Sequence, residues 1–192
     1  MKLYFCGKYY KNKEKIPYKN NNKGKLIDIK KTDKQIIKYS NIFNLLLIIF
    51  LFVPFFILSK EIIKFKLFDF FSACVLGYVS IYVHEILHAL CFKDEVYIFL
   101  DFIKGKAFTV GTEDMSKNKY IFTCLFPNIV LGIIPYLIFL LNNKAIFLGI
   151  YGAICITTGY KDFINIYNVI RYTPKKAIIY LNGLNAFWYQ SN

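Results

Sequence analysis

The stretch LFDFFSACVLGYVSIYVHEILHALCF, residues 67–92, decides how the rest of the chain is read. It is long enough for a membrane-spanning helix, which needs about 20 mostly apolar residues. Near its end it carries His84-Glu85-Ile86-Leu87-His88, and these are the only two histidines of the chain. Positions i and i+4 share one face of a helix, so both imidazoles can reach one divalent cation. The intervening glutamate then lies beside the metal as a general base for its water. Ionisable groups inside an apolar helix are expensive and usually functional. A purely structural cluster of two histidines and a glutamate would leave three polar groups to desolvate.

Three more apolar blocks surround this one. Residues 43–59 (FNLLLIIFLFVPFFILS), 120–141 (YIFTCLFPNIVLGIIPYLIFLL) and 145–170 (beginning AIFLGIYGAICITTGY) complete a set of four expected spans. Prolines inside the first and third are tolerable where neighbouring helices satisfy the freed carbonyls. The composition agrees: of 192 residues, 56% are hydrophobic and 19% charged, against about 25% charged in an average soluble domain. The expected fold is mainly α, a polytopic membrane protein with small β-hairpin extensions on the cytoplasmic side.

The net charge of +13 is placed unevenly: 12 lysines and only three acids precede residue 42. This is the distribution of a cytoplasmic flank beside an anionic leaflet. With four spans it predicts both termini in the cytoplasm and membrane lipid as a partner. The first 42 residues form a basic segment, in which Ile27, Ile29, Ile36 and Ile37 suit a short strand or interfacial helix. Residues 43–192 form the membrane-embedded domain. No apolar leader segment opens the chain, and the five cysteines, odd in number and without a CxxC pair, suit buried apolar positions.

Two connections read as hairpins. Residues 95–110 are rich in β-branched and aromatic side chains, with Lys104-Gly105-Lys106 as the turn. Residues 177–190 carry Asn182-Gly183 between apolar runs.

Catalytic zinc takes three protein ligands and leaves one position open. Candidate third donors are Asp69, Cys91, Asp101, Glu113, Asp114 and Asp162. Asp69 lies about 22 Å from His84 along the same helix, and Cys91 about 10 Å, both out of reach of a shared ion. Asp162 matches in depth. It lies 17 residues into a span that starts near 145, as His84 does in one that starts near 67. Its other reading is an interfacial carboxylate paired with Lys161 or Lys175. Asn128, after Pro127 in the third span, suits either an oxyanion or substrate contact or a helix–helix hydrogen bond. Asn165 suits an outer-shell position.

At these residues the chain resembles the putative zincin peptidase family of small bacterial membrane proteins and, more distantly, site-2-type intramembrane metalloproteases. The match rests on His84–His88 inside a span, the strand-like connection ending near Lys106-Ala107-Phe108, the step from Gly159 to Asp162, and the Thr173-Pro174-Lys175-Lys176-Ala177 segment leading to a hairpin with Trp188-Tyr189. It covers roughly residues 67–190. Phe163 follows Asp162 where the site-2-type enzymes have glycine. The resemblance implies Zn²⁺ on His84, His88 and Asp162, Glu85 as base, and a polypeptide substrate cleaved in or beside a bacterial cytoplasmic membrane. Strand 95–110 then offers an edge to extended substrate. No nucleic-acid partner is expected. The contrasting expectations are a non-catalytic scaffold or metal-binding protein on the same helices, and a basic protein that binds membrane surfaces through residues 1–42.

Overall fold

A computed structural model describes residues 1–8, 13–19, 24–27, 33–58 and 67–190. The Lys-rich connection 60–66 and Ile29 lie outside these residues. The chain runs β1 (Lys2–Gly7), β2 (Lys25–Leu26), α1 (Asp33–Leu58), α2 (Leu67–Leu90), β3 (Glu95–Asp101), β4 (Lys106–Gly111), β5 (Met115–Ser116), α3 (Lys117–Pro127), a π-helical segment (Asn128–Ile133), α4 (Ile134–Leu141), α5 (Ile146–Thr158), α6 (Tyr160–Tyr172), β6 (Ala177–Asn182) and β7 (Asn185–Gln190). It is mainly helical, with two small sheets.

Three helical stretches are long and apolar enough to cross a membrane: Lys38–Phe55, Leu67–Leu90 and Lys117–Leu141. The third keeps its path through Pro127 and Pro135 by widening into π-helix between them. The fourth expected span, 145–170, is instead divided at Gly159. The apolar helix α5 has 13 residues, about 20 Å at 1.5 Å per residue, which is short of a hydrocarbon core. The helix α6 that follows is polar along much of its length (YKDFINIYNVIRY).

The helices meet through small residues. A Cβ on Gly152 would come within 2.7 Å of the Gly132 carbonyl oxygen and the Tyr136 amide nitrogen, so α5 lies directly against the backbone of the π segment and α4. Around this contact Leu51, Phe55, Phe139, Ile150 and Ala153 form the inner core.

The second core lies where the sheets cap the helices. It joins Ala89 and Phe92 after α2 with Val96, Ile98, Tyr120, Val169 and Ile179. One sheet has the order β1-β3-β4 and the other β2-β7-β6-β5. Both expected hairpins are present. In the second, Asn182 pairs with Asn185, so the two-residue loop is Gly183-Leu184 with Gly183 at φ +62°. This puts glycine at the first central position, as a type II′ hairpin turn requires.

The N-terminal residues are woven into this cap. Strand β1 pairs in parallel with β3, Leu3 beside Val96 and Phe5 beside Ile98. β2 pairs with β7. Between them the Gly183 amide donates to the Pro17 carbonyl at 3.2 Å, and the Lys19 amide donates to Asn182 Oδ1 at 3.1 Å.

Candidate metal centre

α2 brings His84 and His88 onto one face one turn apart, with ring centroids 4.7 Å apart and rings at 78°. The ligand atoms of His84, Glu85 and His88 lie within 4.8 Å of one another. From the first turn of α6, Asp162 reaches across. Its Oδ2 lies 2.9 Å from His84 Nε2 and 3.4 Å from His88 Nε2. The carboxylate matched to His84 by depth is therefore beside it in space. Among the described residues, its ion pairs are with the two imidazoles and not with Lys161 or Lys175.

The outer partners fix how these groups face. His88 Nδ1 lies 2.8 Å from the Thr123 carbonyl oxygen. A carbonyl only accepts, so Nδ1 carries a proton, and in the neutral ring Nε2 keeps its lone pair. That lone pair faces a carboxylate oxygen, an arrangement that a cation between them would satisfy. The donor set of two imidazole nitrogens and one or two carboxylates is the chemistry that zinc takes. The residues present therefore fit the metal.

Asp162 is itself held. Asn128 Nδ2 donates to its Oδ2 at 2.9 Å and to the Cys124 carbonyl at 3.2 Å. Both amide hydrogens are thus spent inside the protein, and Asn128, fully buried, joins α3, α6 and the carboxylate. Among the described residues its Oδ1 is buried without a hydrogen-bond partner. It lies where a Cβ on Gly159 would stand, 2.0 Å away. Any other residue at 159 would collide with the amide, so the seat of Asn128 depends on glycine at that position.

The other candidate donors are engaged elsewhere. Asp101 Oδ1 caps the hairpin turn, accepting from the Ile103 and Lys104 amides at 3.2 and 3.3 Å. Glu113 accepts from the Lys93 amide at 2.6 Å and pairs with Lys119. Asp114 pairs with Lys19 at 2.5 Å. Cys91 Sγ donates to the Leu87 carbonyl at 3.5 Å. Asp69 lies in the first turn of α2, at the far end from His84.

A cleft of about 910 Å³ opens over the cluster. His84, Glu85, His88 and Asp162 lie in its floor, and Lys106–Val110, Ile179–Leu181 and Asn165 of α6 form its walls. Thr109 on β4 ties the wall to the floor, donating from Oγ1 to the Glu85 carbonyl at 2.8 Å. Among the described residues β4 is the outer strand of its sheet, and its residues line the cleft beside the cluster. Beside the cleft burial pushes the Tyr180 phenol up and outweighs the nearby Lys19 ammonium. The carbonyl of Thr123 and the hydroxyl of Thr109 carry no signal in the sequence, because each acts only through a neighbour that the fold supplies.

A family profile described as "putative zincin peptidase" matches residues 77–178, more than half of the chain. No curated protein and no solved structure matches it.

Proposed function

The chain belongs to the putative zincin peptidase family, and on that premise we propose that it is a zinc-dependent, membrane-embedded endopeptidase that hydrolyses peptide bonds of membrane or membrane-proximal proteins. One observation carries the reading. Two imidazole nitrogens one helical turn apart converge on a single carboxylate oxygen, at 2.9 and 3.4 Å, in the floor of an open cleft. In this reading His84, His88 and Asp162 hold the metal. Bound zinc supplies Lewis acidity, lowering the pKa of a water towards 7 and polarising a carbonyl.

The rest falls to the chain's own groups. Glu85, between the two histidines, takes the proton of the attacking water and passes it to the leaving amine. Thr123, through its carbonyl, holds His88 in the tautomer that presents Nε2 inward. Asn128 keeps the Asp162 carboxylate turned towards both rings. The free edge of β4 suits an extended substrate added as a further strand, with its scissile bond over Glu85. In this topology α5 and the start of α6 make the fourth crossing, and both termini lie in the cytoplasm.

The test pairs metal content with hydrolysis. The purified wild-type chain is expected to hold one zinc that His84→Ala loses, and Glu85→Gln is expected to keep the zinc and lose cleavage of an extended peptide. Equal zinc in wild type and His84→Ala would overturn the reading.

A further inference from the structure

Two stretches near the start of the chain, residues 13–19 and 24–27, touch both sheets. Ile16 is buried on Cys6 of β1 and Phe99 of β3. Leu26 in β2 pairs with Phe187 of β7, and the Ile27 amide donates to the Ala186 carbonyl at 3.0 Å. Between these anchors the chain meets the β6–β7 hairpin. The Pro17 carbonyl accepts from the Gly183 amide at 3.2 Å, and the Tyr18 ring lies 3.0 Å from a Cβ built on Gly183. Gly24 abuts Tyr180 so closely that a Cβ there would overlap the phenol oxygen. The cleft over the histidines is lined from both sheets, by residues 106–110 of β4 and 179–181 of β6. The early residues therefore hold together the two sheets that border it. They lie outside the family-matched region 77–178, so what they contribute is added to that region from without.

Lys19 makes the tightest of these joins. Its main-chain amide donates to Asn182 Oδ1 at 3.1 Å. Its ammonium donates to the Thr112 carbonyl at 3.2 Å and pairs with Asp114 at 2.5 Å, both in the connection that leaves β4. The same ammonium stands 5.5 Å from the centre of the Tyr180 ring. Each partner lines the cleft or adjoins a residue that does: Thr112 and Asp114 flank Glu113, Asn182 follows Leu181, and Tyr180 is itself in the lining. The Lys19 side chain is 29% exposed, so the pair is partly withdrawn from water and less screened than a surface pair. By composition Lys19 belongs to the basic flank expected at an anionic leaflet; in the fold its charge is spent inside the protein.

We propose that Lys19 is a positioning residue of the cleft, clasping the β6–β7 hairpin to the connection after β4 and so fixing the spacing of the two runs that receive an extended polypeptide. An added strand lies about 4.8 Å from the edge it joins. A second run beside that strand can contact it only if held at one distance. A clasp made before substrate arrives removes this ordering cost from binding. Its effect is uniform binding, read in KM, and not the proton transfer at Glu85. The positioning role rests on the peptidase reading; the clasp itself does not.

The test compares Lys19→Met, Lys19→Arg and Asp114→Asn with wild type in the zinc-loaded full chain. Lys19→Met keeps the main-chain bond to Asn182 and removes only the charge, whereas Lys19→Arg keeps donors for Thr112 and Asp114. Asp114→Asn removes the pair from its other side and serves if Lys19→Met fails to fold. With an extended peptide as substrate, Lys19→Met and Asp114→Asn are expected to raise KM about fivefold with kcat within about twofold, and Lys19→Arg to restore KM. Zinc content stays equal in all four. In parallel, nitroxide amino acids placed at Lys106 and Leu184, both exposed residues of the lining, report the spacing by pulsed electron spin resonance. A single narrow distance is expected in wild type and Lys19→Arg, and a broadened one in the other two. Unchanged KM with an unbroadened distance, or a fall in kcat with KM unchanged, would overturn the proposal. Absence of cleavage by wild type would defeat the peptidase reading and with it the positioning role, while the distances alone would decide the clasp.

Discussion

The two hairpins look alike in sequence and serve different ends. Each joins two antiparallel strands through a turn with a left-handed glycine, Gly105 at φ +58° and Gly183 at φ +62°. The β6–β7 hairpin is enclosed: β5 pairs with one edge and β2 with the other, while Pro17 and Lys19 tie down its turn. Among the described residues, the β3–β4 hairpin has β1 on one edge and no strand on the other. Its other edge faces the cleft, and its turn rests on two tyrosines of α2. Pairing on both edges makes a ribbon architectural; leaving one edge open beside polar side chains makes it available to a ligand.

This contrast can be broken by removing the metal site. Asp162→Asn is expected to weaken zinc binding by more than the 10–100-fold typical of losing an outer-shell partner. It should also raise amide exchange in Lys106–Gly111 and leave Ala177–Gln190 unchanged. Equal changes in both hairpins would erase the distinction. Asn128→Ala should follow the same pattern at about 10–100-fold in zinc affinity, read by competition with a chelating dye. In the enclosed hairpin, Asn182→Ala deletes the bond from the Lys19 amide. A loss of about 1 kcal/mol in unfolding free energy, with zinc affinity unchanged, is expected by thermal denaturation. The smallest effect is assigned to Thr109→Val, which removes one hydrogen bond between the open hairpin and the Glu85 carbonyl. A drop of about fivefold or less in kcat/KM, with zinc content intact, corresponds to about 1 kcal/mol.

Local pattern made much of this legible. The i, i+4 histidines, the apolar blocks and both hairpins are written in short-range spacing, and those features appear in the structure at nearly the expected residues. The match in depth between His84 and Asp162 needed only helix rise. What escaped depends on distant partners. β1 becomes a strand because it pairs with residues more than ninety positions later, and nothing within 1–8 announces that. The continuous helix expected over 145–170 is divided at Gly159, where Asn128, from another helix, occupies the space a side chain would need. Asn128 had two readings in sequence. Its hydrogen bonds to Asp162 and Cys124 arise from the positions of neighbouring helices, which local pattern does not carry.

The widened turn after Pro127 carries a last consequence. A regular helix rotates about 100° per residue, so Asn128–Ile133 re-wound as ordinary helix with every residue kept would swing everything beyond it by about that angle. Tyr136 and Phe139, now buried in the inner core, would then lose their alignment with Asn128. The bulge works as a phase adjuster, letting one helix direct an amide to the carboxylate of Asp162 and, further along, its aromatic rings to the core. Re-winding this segment at full length is therefore expected to harm the chain far more than removing its one extra residue.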